Sequence, residues 1–394
     1  MQKIFLPLLF TSFVYGQSLE VLLLKVKTQN VDLQELQERI MIGDEQVALA
    51  DTWENPTLGL GVNDLLIDDI TSRDLEPMQT QFITLSQKIP MGDKTALKKG
   101  ISSVDKDIVS ALYTQKLSRM RAVLSGFAYK VAIIEKKLAL ISEYQYNVKK
   151  LKRLHTKRFE VGKSTQSAVE KAKILEKNLV VKKRKLSTMK RALLYKIENL
   201  VYEDVTSVEV SLSLDKQVDI DIKSHPIMIV SNLKVQKAIQ TLKLARANTM
   251  PDVKLGVGYF QREDRSDYLA LNVGFDLPVR GKEERAIKIA LLKESQAKKA
   301  LKSQAFKLQR DVDILKELMA DSLKNYHIIK KEIVPKQRYI QKLLEREIFT
   351  KNTSATALLT NLNESIVLEL EAYAEMDSYF EAYAKLVYFE GGLS

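Results

Sequence analysis

The stretch that decides the fold is "PDVKLGVGYF", Pro251–Phe260, in which apolar residues alternate with small or polar ones. One side of an extended chain here would carry apolar groups, from Val253, Leu255, Val257 and Tyr259. The other side would carry Lys254, Gly256 and Gly258. A period of two predicts a β-strand, because side chains alternate faces only in extended backbone.

Three further segments carry the same pattern. "TLGLGVN" and "DYLALNVGFDLP" alternate cleanly, whereas "MQTQFITLSQKIP" alternates less regularly. Prolines stand at 56, 90, 251 and 278, where they bracket two strand pairs and prevent a strand from continuing into a helix. We therefore predict strands at 57–63, 78–89, 252–260 and 268–277.

Strands of about ten residues are long enough, when tilted, to cross an outer-membrane hydrocarbon layer. The alternative is that the two strand pairs belong to a soluble β-sandwich. Four strands are too few to close a barrel, which takes about eight, so a barrel would require several chains. Aromatic residues at the predicted strand ends are typical of a membrane interface: Trp53, Tyr259, Phe260 and Tyr268.

The remainder of the chain is predicted to be helical. Only 14 of its 394 residues are Gly and 8 are Pro, and 28% are charged. Apolar seams recur by threes and fours at Met120, Leu124, Phe127, Val131, Ile134, Leu138 and Ile141, and at Leu308, Val312, Leu315, Met319, Tyr326 and Ile329, with Ser322 as a polar interruption. Returning seams run through Ala168, Ala172, Leu175, Leu179, Lys182, Leu186, Met189 and Leu193, and through Ala355, Leu359, Leu362, Ile366, Glu369, Tyr373, Met376 and Phe380.

The two halves of the sequence correspond. Asn30 and Pro56 recur 195 positions later as His225 and Pro251, whereas Pro90 and Arg158 recur 188 positions later as Pro278 and Arg346. We expect two structural repeats, 17–205 and 206–394, each with two strands and one antiparallel helical hairpin, at about 95–200 and 283–390. The fold class is therefore mainly α with a small β part.

The first sixteen residues, "MQKIFLPLLFTSFVYG", have the charge, apolar run and small final residue of a secretory signal peptide, 1–16. No later apolar run approaches the roughly 20 residues of a transmembrane helix. The absence of cysteine excludes disulfides and thiolate chemistry. The net charge of +12 is spread among acidic residues along helices, which argues against a nucleic-acid partner.

The sequence contains only weak motifs for catalysis or for binding a nucleotide or a metal ion. "KRFEVGKST" ends like a phosphate-binding loop, but Lys157 stands where that loop needs its first glycine. His155, His225 and His327 lie far apart, so we predict no metal site, no cofactor and no catalytic residues, and we assign His225 to local helix capping. The acidic loop of Asp64, Asp68, Asp69, Asp74 and Glu76 is either a cation site or, as we favour, a solvated loop.

These features together resemble the TolC-like outer membrane efflux protein family over nearly the whole mature chain. The similar segments are the pattern AxxxxNPxLxxG around Pro56, "HP" at 225–226, "ARANTMPDVKLGVGY", "LPVRGK", "EIVPKQ" and "RFEVGKST". The resemblance implies a homotrimer with a shared 12-stranded outer-membrane β-barrel and a periplasmic α-barrel. It also implies a periplasmic adaptor and an inner-membrane pump as partners, and no enzymatic activity.

The resemblance also implies where partners bind. Val161, Gly162, Lys163 and Ser164 would form the periplasmic tip that contacts the adaptor; the alternative is an ordinary turn between helices. The second tip departs from the family pattern, because Thr350, Lys351 and Asn352 replace the glycine. Thr353, Thr356, Thr360 and Asn363 share one polar helix face and are candidates for the periplasmic constriction, or for a merely solvated face.

The function that follows is a passive outer-membrane exit channel of a tripartite efflux system, extending into the periplasm. One alternative is the outer-membrane duct of a type I secretion system. Another is a periplasmic coiled-coil scaffold without a pore. The four strands distinguish the channel from the scaffold, because a scaffold has no reason to direct apolar side chains toward lipid.

Overall fold

The computed structural model describes residues 17–72, 78–263, 265–350 and 355–390. The expected signal peptide, 1–16, lies outside these residues. The helices are α1 (Leu19–Gln29), α2 (Val31–Ala50), α3 (Lys94–Glu160), α4 (Gln166–Val201), α5 (Pro226–Ala247), α6 (Lys282–His327), α7 (Val334–Thr350) and α8 (Ala355–Val387). A π-helical segment, Ile328–Ile333, connects α6 to α7.

The strands are β1 (Gln17–Ser18), β2 (Thr57–Asn63), β3 (Thr80–Ile89), β4 (Val208–Glu209), β5 (Val253–Gln261) and β6 (Tyr268–Phe275). Four of them form an antiparallel sheet in the order β2-β3-β5-β6. The central pairing joins the two halves of the sequence, with Leu85 opposite Val257. The sheet is open, with β2 and β6 at its edges in the described part of the chain.

The chain divides into two compact units, and each draws on both halves of the sequence. The strand unit comprises Glu35–Tyr113 and Pro226–Phe306, and it contains the four-stranded sheet. The helical unit comprises the described parts of 1–34, 114–225 and 307–394. Across the described residues, none of the helices combines the length and the apolar character needed to cross a membrane.

The helical unit has its core where α3, α4 and α8 meet. One cluster joins side chains from all three helices: Leu140, Ile141, Tyr144, Val148, Ala172, Leu175, Leu179, Leu359, Leu362 and Ile366. These residues include positions of the predicted apolar seams, so periodicity correctly indicated which helix faces are buried. A second cluster stacks Tyr129 on Phe380, with ring centroids 4.4 Å apart.

The prediction for one seam residue was wrong. Met189 is 47% exposed, whereas Leu193 and Leu194 beyond it are buried. A strict seven-residue pattern drifts around a straight helix, because 3.6 residues per turn do not divide evenly into seven. The core-facing stripe of α4 has therefore moved off Met189.

The pairing of β1 with β4 was not foreseen from sequence. These two-residue strands are parallel, with Gln17 opposite Val208. Nearby, the Asn30 side-chain amide donates to the Leu200 carbonyl oxygen at 3.0 Å, and Lys25 forms an ion pair with Glu203. These contacts join α1 to the end of α4, so the beginning of the described chain is held in the helical unit.

Candidate functional site

The turn that closes the first helical hairpin follows α3. Gly162 has a φ of +70°, its N–H donates to the Phe159 carbonyl oxygen at 3.0 Å, and the Lys163 N–H donates to the Arg158 carbonyl oxygen at 2.7 Å. This pair of bonds is the Schellman motif, which needs a left-handed residue and therefore favours glycine. Lys157 lies inside α3, so the backbone here is helical and does not form a phosphate-binding loop.

The next helix, α4, begins at Gln166, four positions after Gly162. The Thr165 hydroxyl accepts a hydrogen bond from the Ala168 N–H at 3.2 Å and caps α4. Between the two caps, Val161 is 66% exposed, Gly162 and Lys163 are exposed, and Ser164 is half-buried. The four predicted tip residues thus lie in one turn that presents a small, partly apolar and basic surface.

A buried histidine lies directly beneath this turn. His155 has no exposed surface, and its Nδ1 is 3.5 Å from the Ser164 hydroxyl oxygen. Its Nε2 has no hydrogen-bond partner among the described residues. Burial lowers the pKa of His155, and the neighbouring Arg158 lowers it further. Sequence reasoning missed this residue, although it continues the buried stripe of Tyr144 and Val148 at helical spacing.

The candidate constriction falls on the first turns of α8. Thr360 and Asn363 are exposed and Thr356 is half-buried, whereas Thr353 lies outside the described residues. The second predicted turn, at 351–352, is also outside them. The opposite face of α8 buries Ser365, whose hydroxyl donates to the Asn361 carbonyl oxygen at 2.9 Å. Exposure of Thr360 and Asn363 fits either a lining face or a solvated one.

A buried carboxylate occupies the middle of the helical unit. Glu369 of α8 is 2% exposed. Arg338 of α7 donates to its Oε1 through Nη2 at 2.8 Å and Nε at 3.2 Å, and the Tyr144 hydroxyl of α3 donates to the same oxygen at 3.2 Å. Lys330, in the π-helical segment, lies 3.6 Å from Oε2. One carboxylate therefore joins α8 to α3, α7 and the π-helical segment.

The cluster around Glu369 has a structural role. The hydrogen bond to Glu369 raises the pKa of Arg338, and burial raises the pKa of Tyr144, so the phenol remains a neutral donor. A buried carboxylate is tolerated only when its partners replace the lost water. The sequence contained a signal for this site, because Glu369 interrupts an otherwise apolar seam.

The two faces of the four-stranded sheet differ in polarity. Most of its apolar face is exposed, at Leu58, Leu60, Val62, Ile83, Leu85, Leu255, Val257, Tyr259, Leu269, Leu271, Val273 and Phe275. The strand register places these residues together; for example, Leu60 is opposite Ile83, and Val257 is opposite Leu271. The other face carries small and polar residues such as Gly59, Thr84 and Asn272, with the rings of Phe82, Phe260 and Tyr268 near one end. A continuous exposed apolar surface of this kind marks a membrane or partner contact.

Aromatic residues lie near one end of this sheet. The rings of Phe260 and Tyr268 stack with centroids 4.8 Å apart, and Tyr259 is hydrogen-bonded to Asp267. Trp53, before β2, is 54% exposed. Of these rings, Tyr259 lies on the apolar face and suits a boundary between water and hydrocarbon, whereas Phe260 and Tyr268 lie on the opposite, polar face.

The acidic loop forms a local turn. The Asp69 carboxylate accepts hydrogen bonds from the Thr71 N–H at 3.1 Å, the Thr71 hydroxyl at 2.8 Å and the Ser72 N–H at 3.2 Å. Asp74 and Glu76 lie outside the described residues. The Asp69 contacts are those of an Asx-turn, which stabilises a loop without any ion.

Comparison with known proteins shows the fold. No family model matches the chain, and neither does any curated protein. The open-state MtrE outer-membrane channel of Neisseria gonorrhoeae matches with a TM-score of 0.79 at 15% identity, over 95% of this chain and 89% of that one. The CmeC outer-membrane channel of Campylobacter jejuni gives 0.78 at 13% identity, over 95% and 86%.

A structure of CusC, described for its folding and transmembrane channel formation, gives a TM-score of 0.79 at 12% identity, over 95% of this chain and 92% of that one. This chain therefore has the fold of the outer-membrane channels, and the TolC-like fold that the sequence motifs implied is confirmed.

Proposed function

We propose that this chain forms the outer-membrane exit channel of a tripartite efflux system. Three copies would share one 12-stranded β-barrel in the outer membrane and one α-barrel in the periplasm. The channel would be a passive conduit that a periplasmic adaptor connects to an inner-membrane pump. The likeness in fold to outer-membrane channels supports this proposal, and the surface of the four-stranded sheet is the observation that carries it.

The polarity of that sheet favours a channel over a scaffold. Leu269, Leu271 and Val273 are 71%, 82% and 68% exposed, which is unfavourable in water and favourable against acyl chains. The opposite face has glycines and polar side chains that suit a water-filled lumen. A soluble scaffold would bury the apolar face inside one chain, and among the described residues that face is exposed.

The helices are long enough to extend the conduit. Helix α3 has 67 residues, which corresponds to about 100 Å at 1.5 Å per residue. Such a helix can cross much of a periplasm as part of a tunnel. Passive conduction needs a continuous aqueous path and no reactive groups, so the protein requires no cofactor for this role.

The tip turn is the proposed adaptor contact. Val161 offers exposed apolar area, Lys163 offers a positive charge, and the Schellman turn holds both in a defined shape. Rigid turns of this kind reduce the ordering cost of binding. The constriction is proposed at Thr353, Thr356, Thr360 and Asn363, near the start of α8.

Purification and planar-bilayer recording test the channel itself. We expect a detergent-solubilised trimer that resists SDS until heated and that gives ion conductance when it is added to a planar lipid bilayer. Purification as a detergent-free, non-conducting monomer or dimer would overturn the proposal in favour of a scaffold. Conductance together with secretion of a protein substrate, but no small-molecule export, would favour a type I secretion duct.

Export in the native bacterium tests the tip. Lys163→Glu reverses the charge at the proposed contact, whereas Lys185→Glu reverses a charge that is also exposed, in the middle of α4. We expect Lys163→Glu to reduce export severalfold with normal trimer yield, and Lys185→Glu to leave export unchanged. Equal export by both variants would contradict adaptor contact at Lys163 without contradicting the pore.

A further inference from the structure

The two halves of the chain meet along a contact that we call the internal seam. It joins β3 and the start of α3 to β5 and α5, all within the strand unit. Leu85 pairs with Val257 in the sheet, and Asp105 forms a 2.7 Å ion pair with Lys237 between the helices. At position 100 the Gln240 side chain reaches across to α3, so that a Cβ added to Gly100 would lie 2.5 Å from its Oε1.

The base of the internal seam contains a partly buried ion pair. The Lys94 ammonium donates to Asp252 Oδ1 at 2.5 Å and to the Met250 carbonyl oxygen at 2.5 Å. The Met91 N–H donates to the same Asp252 oxygen at 3.2 Å. These bonds connect the end of the first strand pair to the beginning of the second.

The same two surfaces recur on the outer sides of the strand unit. The sequence correspondence places β6 and the start of α6 in the role of β3 and α3, and it places β2 and α2 in the role of β5 and α5. Val104 is 7% exposed at the internal seam, and its equivalent Leu292 is 64% exposed. Lys94 is 5% exposed, and its equivalent Lys282 is exposed.

The β2–α2 surface is likewise more exposed than its equivalent at the internal seam. Leu49 of α2 is 71% exposed, whereas its equivalent on α5, Leu244, is half-buried. Strands β2 and β6 are the edges of the open sheet in the described part of the chain. Each outer surface is therefore an uncovered copy of a surface that is covered inside the chain.

We infer that the β6–α6 surface of one copy binds the β2–α2 surface of the next copy in the register of the internal seam. The inference rests on the proposed multi-chain channel and adds its residue-level interface. Val62 of one copy then lies opposite Val273 of its neighbour, as Val257 lies opposite Leu85. Leu60 lies opposite Phe275. The contact is head-to-tail, so it closes a ring when the rotation between neighbouring copies divides evenly into a full turn, as the proposed trimer requires.

The side chains of this intersubunit seam differ from those of the internal one. Glu45 replaces Gln240 and Lys288 replaces Gly100, so a carboxylate of one copy faces an ammonium of the next between the helices. Thr57 replaces Asp252 opposite Lys282, so the ion pair at the base of the sheet is lost. The internal seam thus has ion pairs both at the sheet base and between the helices, whereas the intersubunit seam has its charge pair only between the helices.

Disulfide trapping tests the register, and the natural absence of cysteine makes every crosslink assignable. Val62→Cys with Val273→Cys places two cysteines in register across neighbouring copies. Leu60→Cys with Val273→Cys, on the same face, is displaced by two residues and is the matched control. Leu85→Cys with Val257→Cys reports the internal seam within one chain. Each protein is oxidised in outer membranes and run on non-reducing SDS gels after heating.

We expect covalent dimers and trimers from the in-register pair, roughly tenfold more than from the displaced pair, because a disulfide requires Cβ atoms about 4 Å apart. The internal pair gives only a crosslinked monomer. More crosslinking in the displaced pair, or none in the in-register pair while unoxidised trimers persist, would overturn the register alone. Absence of any oligomer for all variants and the unaltered protein would contradict the proposed channel as well.

A charge exchange tests the helix contact independently. Lys288→Glu places two carboxylates together and should lower the temperature at which the trimer dissociates. Adding Glu45→Lys restores opposite charges and should raise that temperature again. Failure of the double variant to recover, while Lys288→Glu still forms trimers, would refute the Glu45–Lys288 contact.

Discussion

The two helical hairpins correspond in sequence but differ in how they are built. In the first hairpin α3 is continuous for 67 residues and packs Ile141 with no exposed surface against α4 and α8. In the second hairpin the corresponding segment is the π-helix Ile328–Ile333, and Ile329 contacts a smaller cluster. The two corresponding segments therefore differ in structure: the helix is regular in the first hairpin and π-helical in the second.

The charged residues within the returning seams also differ between the two hairpins. Lys182 interrupts the returning seam of the first hairpin and is half-buried, whereas Glu369 interrupts that of the second and is 2% exposed. Lys330, within the π-helical segment, faces Glu369. The comparison teaches that irregular helix and buried charge occur together, and π-helical segments are frequent at functional sites. The second hairpin is therefore the one whose packing depends on polar contacts.

The largest effect is expected in the apolar core. Ile141→Ala should cost about 3 kcal/mol, because it leaves a cavity among the buried side chains shared by three helices. Ile329→Ala, at the corresponding position of the second hairpin, should cost clearly less. The measurement is the thermal unfolding midpoint of the helical circular-dichroism signal in detergent. An equal or larger loss for Ile329→Ala would show that the two cores do not differ as described.

The second largest loss of stability is expected when one partner of the buried Glu369 carboxylate is removed. Arg338→Leu should cost about 2 kcal/mol, because Glu369 stays buried with fewer donors. Adding Glu369→Gln should recover most of that loss, since the amide still accepts from Tyr144 without a charge. Lys182→Leu is the control in the first hairpin and should change little. The unfolding midpoints of the two single variants and of the double variant complete a double-mutant cycle. Strictly additive losses of stability would argue against the contact between Arg338 and Glu369.

The tip turn should show a smaller and local effect. Gly162→Ala should cost about 1 kcal/mol, because alanine disfavours a left-handed backbone while nothing lies within 4 Å of the added Cβ. Lys163→Ala, one residue further, should be neutral for stability. Hydrogen exchange of a peptide spanning the turn measures both. Unchanged exchange in Gly162→Ala would mean that the turn does not depend on the glycine conformation.

The smallest effect is a pH dependence of the same turn. The pKa of His155 is lowered in the folded state, so protons bind more readily after unfolding. Its stabilising contribution is complete above the ordinary histidine pKa of about 6.5 and is lost as pH falls through the lowered folded value. After correction for the intrinsic exchange rate, which itself falls with pH, the protection of amides at the turn should therefore decrease in acid. His155→Gln should abolish this loss of protection, and an unchanged loss would assign it to another group.

The sequence predicted the strands and seams because each is encoded by local periodicity. Leu255 and Val257 alternate with glycines, and the run from Leu124 to Ile141 repeats by threes and fours, so the exposed strand face and the buried helix stripe follow directly. The tip turn has Gly162 at its left-handed position and Thr165 as the cap of the next helix, and both preferences are also local. Met189 was misplaced because a fixed heptad drifts on a straight helix.

The tertiary structure alone decided which distant groups meet. Tyr144, Arg338 and Glu369 share one carboxylate although 225 residues separate the first from the last, and no spacing in the sequence connects them. The order of the four strands, the β1–β4 pairing and the burial of His155 are of the same kind. A periodic pattern specifies which face of an element is apolar, whereas the identity of its partner depends on contacts that only the folded chain creates.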